Sequence, residues 1–170
     1  MLLSRPTRQA IAALLITIPL LLTGCGFQLS GSTDFPPGVS SVYIQTPDRY
    51  SPFYRELTKT VRESELTLAD NPIDADSVIR VLIDDTGRRA TSVSARNLPR
   101  EYEVFYRVSY AVSIDDEEVL VPRQFVLTRS YTFDESQVRG KALEEQVLRE
   151  AIAADLVGLL MQRIGALNQE

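Results

Sequence analysis

Glu101-Tyr102-Glu103-Val104-Phe105-Tyr106-Arg107-Val108-Ser109-Tyr110-Ala111-Val112-Ser113-Ile114 is the stretch that decides the fold. Tyr102, Val104, Tyr106, Val108, Tyr110, Val112 and Ile114 alternate with mostly polar neighbours over thirteen residues, and only a long strand with one buried face has that period. Asp115 to Glu118 follows as a charged turn. Val121, Phe125, Leu127, Tyr131 and Phe133 then resume the alternation, with Arg123 and Arg129 on the same face, which predicts a long hairpin from Glu101 to about Phe133. Pro122 has no N–H to give to a ladder and marks the second strand as an edge or a frayed start.

Beyond the hairpin the spacing turns helical. From about Ala142 to Leu167, Leu148, Ile152, Leu156, Leu159 and Leu160 line one side, with Val147, Ala151 and Ile164 nearby, so the longest helix of the chain is the natural cover for the sheet. Before the hairpin, Val39 to Thr46 reads as a first strand with Val42 and Ile44 on one face. Ser51-Pro52 supplies an N-cap and a proline at the first helical position, and Phe53, Leu57 and Val61 recur every four residues in a short amphipathic helix to about Glu65. Val78 to Ile83 is an apolar run that predicts a further strand, continuing through Val93 after a kink at Gly87. The expected architecture is α+β, a two-layer sandwich of two helices on one face of a mixed four-stranded sheet in the order β-α-β-β-β-α.

The N-terminus carries a different signal. Met1 to Arg8 holds two arginines and no acid, Ala10 to Leu22 is apolar except for Thr17, and small residues precede Cys25, the only cysteine. The apolar run is too short to span a bilayer comfortably. Leu22-Thr23-Gly24-Cys25 resembles the lipobox of bacterial lipoproteins, in which the cysteine is acylated through sulfur and begins the mature chain. Residues 1–24 are then a lipoprotein signal peptide and 25–38, rich in Gly, Ser and Pro, a lipid-anchored linker. A single domain fills 39–170. Two or more acyl chains, at about 0.8 kcal/mol per buried methylene, anchor stably where one does not. Gly26 rather than Asp follows Cys25, which by resemblance to bacterial sorting rules favours the outer membrane.

Removing residues 1–24 from 170 leaves 146, enough for one domain with a sizeable core. With its sulfur acylated, Cys25 forms no disulfide, and folding rests on that core. The mature chain has 16 basic and 23 acidic residues, a net −7 that excludes generic nucleic-acid binding. Enzymatic chemistry is poorly supplied: without histidine the usual general base and commonest metal ligand are missing, so neither a cofactor nor a metal is expected. Carboxylates at Asp84/Asp85 and Asp115 to Glu118 read as solvated turn charges. Asp70, Asp74 and Asp76 lack the glycine and distal glutamate of a calcium loop.

Basic residues are more telling. Arg88, Arg89, Arg96 and Arg100 occur with no acid among them, whereas Glu63 to Asp85 holds seven acids against Arg80 alone. Arg139 and Lys141 form a second group before the last helix. Guanidinium forks suit phosphate and carboxylate oxygens, so these groups are candidates for an anionic ligand, and equally for balancing neighbouring acids.

Gly24-Cys25-Gly26-Phe27-Gln28-Leu29, the short first strand, the helix after Ser51, Ser94-Ala95-Arg96-Asn97-Leu98-Pro99-Arg100-Glu101-Tyr102 and Tyr131-Thr132-Phe133-Asp134 together resemble the LptE family of lipopolysaccharide-assembly lipoproteins. Ser30 stands where family members often carry arginine. The resemblance implies a non-enzymatic outer-membrane lipoprotein that sits in the lumen of a very large β-barrel partner, LptD, as plug and assembly factor, and that binds lipopolysaccharide. It also implies lipopolysaccharide-binding roles for Arg96, and for Lys141 with Arg139. A lipid-anchored adaptor of another envelope machine and a carboxylate-based hydrolase are the competing classes. Cys25→Ala should leave the chain uncleaved at Gly24 or release it as soluble material. Mass spectrometry finding an unmodified Cys25 in the membrane-bound wild type would overturn the anchor.

Overall fold

Ser51 shows how local sequence becomes structure here. In the computed structural model, which describes residues 35–133 and 138–169, its hydroxyl accepts from the Tyr54 N–H at 3.0 Å and caps helix α1 (Pro52–Glu63). Pro52 occupies the first turn, where its missing N–H costs nothing. Phe53, Leu57 and Val61 are all fully buried, as a four-residue recurrence requires. Before it lies strand β1 (Ser41–Gln45), with Val42 and Ile44 turned inward.

The order continues with β2 (Thr67–Leu68), a 3-10 turn at Pro72–Asp74, β3 (Ser77–Val93), β4 (Pro99–Ile114), β5 (Glu117–Thr132) and α2 (Val138–Ala166). The sheet therefore has five strands rather than the expected four, in the order β2-β1-β3-β4-β5. The added β2 is two residues long and pairs in parallel with β1, too short for any periodicity to announce it. β1 and β3 are also parallel, and the β3-β4-β5 meander is antiparallel. Asp115 and Asp116 close the β4–β5 hairpin with φ of 50° and 65°, the left-handed pair that a two-residue hairpin turn requires. At the start of the body, one carboxylate oxygen of Asp76 accepts from the backbone N–H and hydroxyl of both Ser40 and Ser41 at 2.7–2.9 Å, which holds its pKa down to about 2.

Both helices pack on one face of the sheet, around a core that includes Val104, Tyr106, Val108, Tyr110 and Val112 from β4. From α2 come Ile152, Ala153, Leu156, Val157, Leu160, Met161 and Ile164. The described residues fall within one compact unit, Ser32–Glu170. Cys25, Ser30, most of the linker and the Arg139 side chain lie outside what is described.

Three expectations need correction. β3 does not kink at Gly87; its ladder gains one extra residue between Val81 and Ile83, a bulge that exposes Leu82. In β5 a further irregularity sets Leu120 opposite Val112, so Leu120 is buried and Val121, expected inside, is 64% exposed. Pro122 sits in this bulge on the edge strand, where a missing N–H is harmless. Helix α2 begins at Val138, four residues before the expected start. Its inward stripe passes through Ala153, Val157 and Met161, leaving Leu159 at intermediate burial and Val147 exposed.

Val108 and Leu156 are buried in opposing layers, at 0% and 1% exposure. Val108→Asp or Leu156→Asp should bury an unpaired charge and cost about 3–5 kcal/mol, enough that neither variant accumulates. A melting curve like that of the wild type would show the face assignment of that residue to be wrong.

Candidate functional site

The far end of the long β3–β4 pair carries most of the chemistry. Ser94 to Leu98 closes a tight loop: the Ser94 N–H donates to the Leu98 carbonyl at 2.7 Å and the Asn97 N–H to the Ser94 carbonyl at 2.9 Å. The Ser94 hydroxyl accepts from the Leu98 N–H, and Asn97 takes a φ of 61°, a conformation that asparagine tolerates. This turn carries Arg96, which is exposed. The β4–β5 ladder extends past its last strand residue through Phe133, whose N–H donates to the Arg100 carbonyl at 2.8 Å. Between loop and ladder opens a cavity of about 630 Å³ lined by Arg96, Leu98, Pro99, Arg100, Thr132 and Phe133 among others. Among the described residues neither guanidinium has a carboxylate partner.

Phe133 joins this cavity to an aromatic cluster. Its ring stands edge-on to Tyr102 at 5.4 Å between centroids, and Tyr102 stacks on Tyr131 at 5.7 Å. Arg88 lies over the other side of the Tyr102 ring, 4.8 Å from its centroid. Its guanidinium donates to Glu145 at 2.7 Å and to the Tyr131 hydroxyl at 3.3 Å, and that hydroxyl donates to Glu145 at 3.2 Å. Glu145 is buried on α2 and also pairs with Arg149 one turn along. A buried carboxylate is tolerable only when paired and hydrogen-bonded, and here two arginines and a phenol satisfy it. Burial pushes the Tyr131 phenol above its ordinary range, Arg88 opposing and the Glu145 charge adding to the rise.

Lys141 packs on the same cluster. Its ammonium pairs with Glu144 at 2.7 Å and stands 6.0 Å from the centroid of the Tyr131 ring. It lies within the first turn of α2 rather than at a loop end, and its side chain is 19% exposed. Arg139 falls in the same turn. The structure therefore puts Arg96 and Lys141 on two sides of one aromatic cluster, Arg96 on the open cavity and Lys141 at the helix start. It adds Arg100 to the cavity and Arg88 to the cluster, both already in the acid-free run. Glu145 was missed; the signal was an acid one heptad before Ile152, on the apolar stripe of the helix.

The cavity suits an anion with an apolar portion: two guanidinium forks for oxygens, with Leu98, Pro99 and Phe133 for carbon. Among the described residues no group of three His, Cys, Asp or Glu side chains converges to hold a metal.

A profile of the family described as LptE, lipopolysaccharide-assembly, matches residues 39–164. The chain is 25% identical to the LPS-assembly lipoprotein LptE of Yersinia enterocolitica over 159 residues, 92% of this chain and 76% of that one. Against its Yersinia pestis counterpart the identity is 23% with the same coverage. Among solved structures it resembles an uncharacterized lipoprotein B from Nitrosomonas europaea, with a TM-score of 0.69 and 23% identity over 85% of this chain and 93% of that one. It also resembles the rare lipoprotein B of Shewanella oneidensis, with a TM-score of 0.64 and 21% identity over 75% and 95%. At such identities these two likenesses show the fold.

Because Glu145 joins sheet to helix through Arg88, Arg88→Met should destabilise the domain by about 1–3 kcal/mol by taking one partner from a buried carboxylate. Adding Glu145→Met should recover much of that loss. Urea unfolding of the two variants measures both effects, and a double variant weaker than the single one would refute the coupling.

Proposed function

The chain belongs to the LptE lipopolysaccharide-assembly family, and from that premise we propose that it is a lipid-anchored outer-membrane protein that binds lipopolysaccharide and plugs the β-barrel of LptD. Its work is binding and assembly rather than turnover. The observation that carries the ligand half of this reading is the cavity beside Arg96 and Arg100, two cations without carboxylate partners among the described residues. Phosphate groups on a glycolipid supply the anionic oxygens, and the neighbouring Leu98, Pro99 and Phe133 accept its less polar parts. Lys141 and Arg139, at the start of α2, complete the basic end of the domain.

The plug half rests on the sheet face opposite the helices. Among the described residues both helices pack on one face, and the other carries ion pairs such as Arg107–Asp85, Arg89–Glu103 and Arg80–Glu118. Phe105 and Val126 lie between them, Phe105 partly exposed and Val126 half exposed. A polar face with scattered apolar side chains matches a water-lined barrel interior better than it matches lipid. Acyl chains on Cys25 hold the domain at the membrane, within reach of such a partner.

Arg96→Asp with Lys141→Asp tests the ligand half. The fold should survive, since Arg96 is on a loop tip and an acid in the first turn of α2 suits the positive end of the helix dipole. Each lost charge-assisted hydrogen bond is worth about 1.5–3 kcal/mol, so lipopolysaccharide binding should weaken at least tenfold, while the barrel still co-purifies. The wild-type affinity should fall as salt rises. Unchanged lipopolysaccharide binding by the folded double variant would remove both residues from the site, and loss of the barrel would place them in the protein interface instead.

A further inference from the structure

At the opposite end of the sheet, β2 stops after two residues and leaves a notch between the edge of β1 and helix α1. The notch holds a cavity of about 150 Å³ lined by Tyr43, Arg49, Tyr54, Thr58, Arg62 and Asp70, with Ile44, Leu68 and Ala69 behind them. It is separate from the Arg96 cavity: β1 pairs with β3 no further than Arg80, and the thirteen residues from there to Val93 span about 40 Å of strand.

Three features make this more than a surface dent. First, the side chains of Arg49 and Arg62 have no ion pair or hydrogen bond among the described residues, although carboxylates outnumber cations in the chain and seven other arginines are paired. Even Asp70, in the same wall, pairs with neither. Second, Thr58 lines this cavity from the middle of α1, its hydroxyl oxygen buried behind the wall and without a hydrogen-bond partner among the described residues. A buried polar atom left unmatched costs free energy, and native proteins leave few of them. Third, the phenols of Tyr43 and Tyr54 also line the cavity, and each has an O–H able to donate to an anion's oxygen. The volume equals about five water molecules at roughly 30 Å³ each, room enough for a single tetrahedral oxyanion.

We infer that this notch is a second, independent anion site that takes one phosphate monoester group, held between Arg49 and Arg62 with the two phenols donating to its oxygens. Two cations against Asp70 leave the lining net positive. The group can arrive as free phosphate or at the end of a phosphomonoester headgroup, since the cavity opens at a sheet edge.

The detergent-solubilised full chain can be titrated with inorganic phosphate and, in a parallel arm, with dihexanoyl phosphatidic acid below its micelle concentration, following the amide shifts of Tyr54, Thr58 and Arg62. Saturable shifts are expected with at least one probe, and the tighter of the two identifies the source. Arg49→Gln with Arg62→Gln should weaken binding at least tenfold, and Lys59→Gln, which removes a cation from the same helix outside the cavity, should not. Arg49 and Arg62 are both exposed, so their double variant should keep the wild-type melting temperature, which separates lost binding from misfolding. No saturable shift with either probe, or equal binding by the Arg49/Arg62 double variant, would overturn the site.

Discussion

One extra residue in β3 controls the relation between the two layers. Between Val81 and Ile83 the ladder to β4 admits a bulge, and because side chains alternate with a period of two, everything after it changes faces. Before the bulge Ser77, Ile79 and Val81 point into the core; after it Asp84, Thr86 and Arg88 take the helix side, opposite Val108, Tyr106 and Val104. Asp84 accepts from the Ser51 hydroxyl and from the Tyr106 hydroxyl at 2.7 Å, and Tyr106 in turn accepts from the Phe53 N–H at 3.2 Å. The cap of α1 is thus tied to the sheet through a carboxylate. Arg88 does the same for α2 through Glu145.

An in-phase strand would have turned Ile83, Asp85, Gly87 and Arg89 toward the helices. Instead they lie on the open face, where the Phe105 ring closes over Gly87; a Cβ there would come within 2.7 Å of it. The bulge costs a ladder position and the burial of polar groups, and Asp84 registers that cost. Burial raises its pKa, with the hydrogen bonds from Ser51 and Tyr106 opposing the rise. In exchange each helix is fixed by a directional contact, which an apolar seam alone does not provide.

The same division of labour sets the functional geography. The core occupies the overlap of α1, α2, the first half of β3 and the second half of β4, while the β3–β4 pair runs on beyond β1. Its overhang carries the Arg96 loop, the Tyr102–Tyr131–Phe133 cluster and the arginines around them, held down by the first turns of α2. Stacked rings and one buried carboxylate stiffen this end of the sheet, so its arginines are held in place without involving the core.

Much of this was legible in the chain. The period of two from Tyr102 to Ile114, the Ser51-Pro52 cap and the four-residue recurrence after it fixed the hairpin and the first helix, because those signals depend on neighbours within one turn or one pleat. The acid-free run around Arg96 likewise located the basic end. Tertiary structure alone decided the rest. A two-residue strand has no period of its own, a bulge is invisible where the residues on both sides can face either way, and Val121 and Leu120 exchanged places through such a shift in β5. Glu145, Arg88 and Tyr131 come together across 57 residues of chain, and Arg49 and Arg62 share a cavity because β2 ends early. Contacts of that kind are set by which strands become neighbours, and no local rule of sequence contains that information.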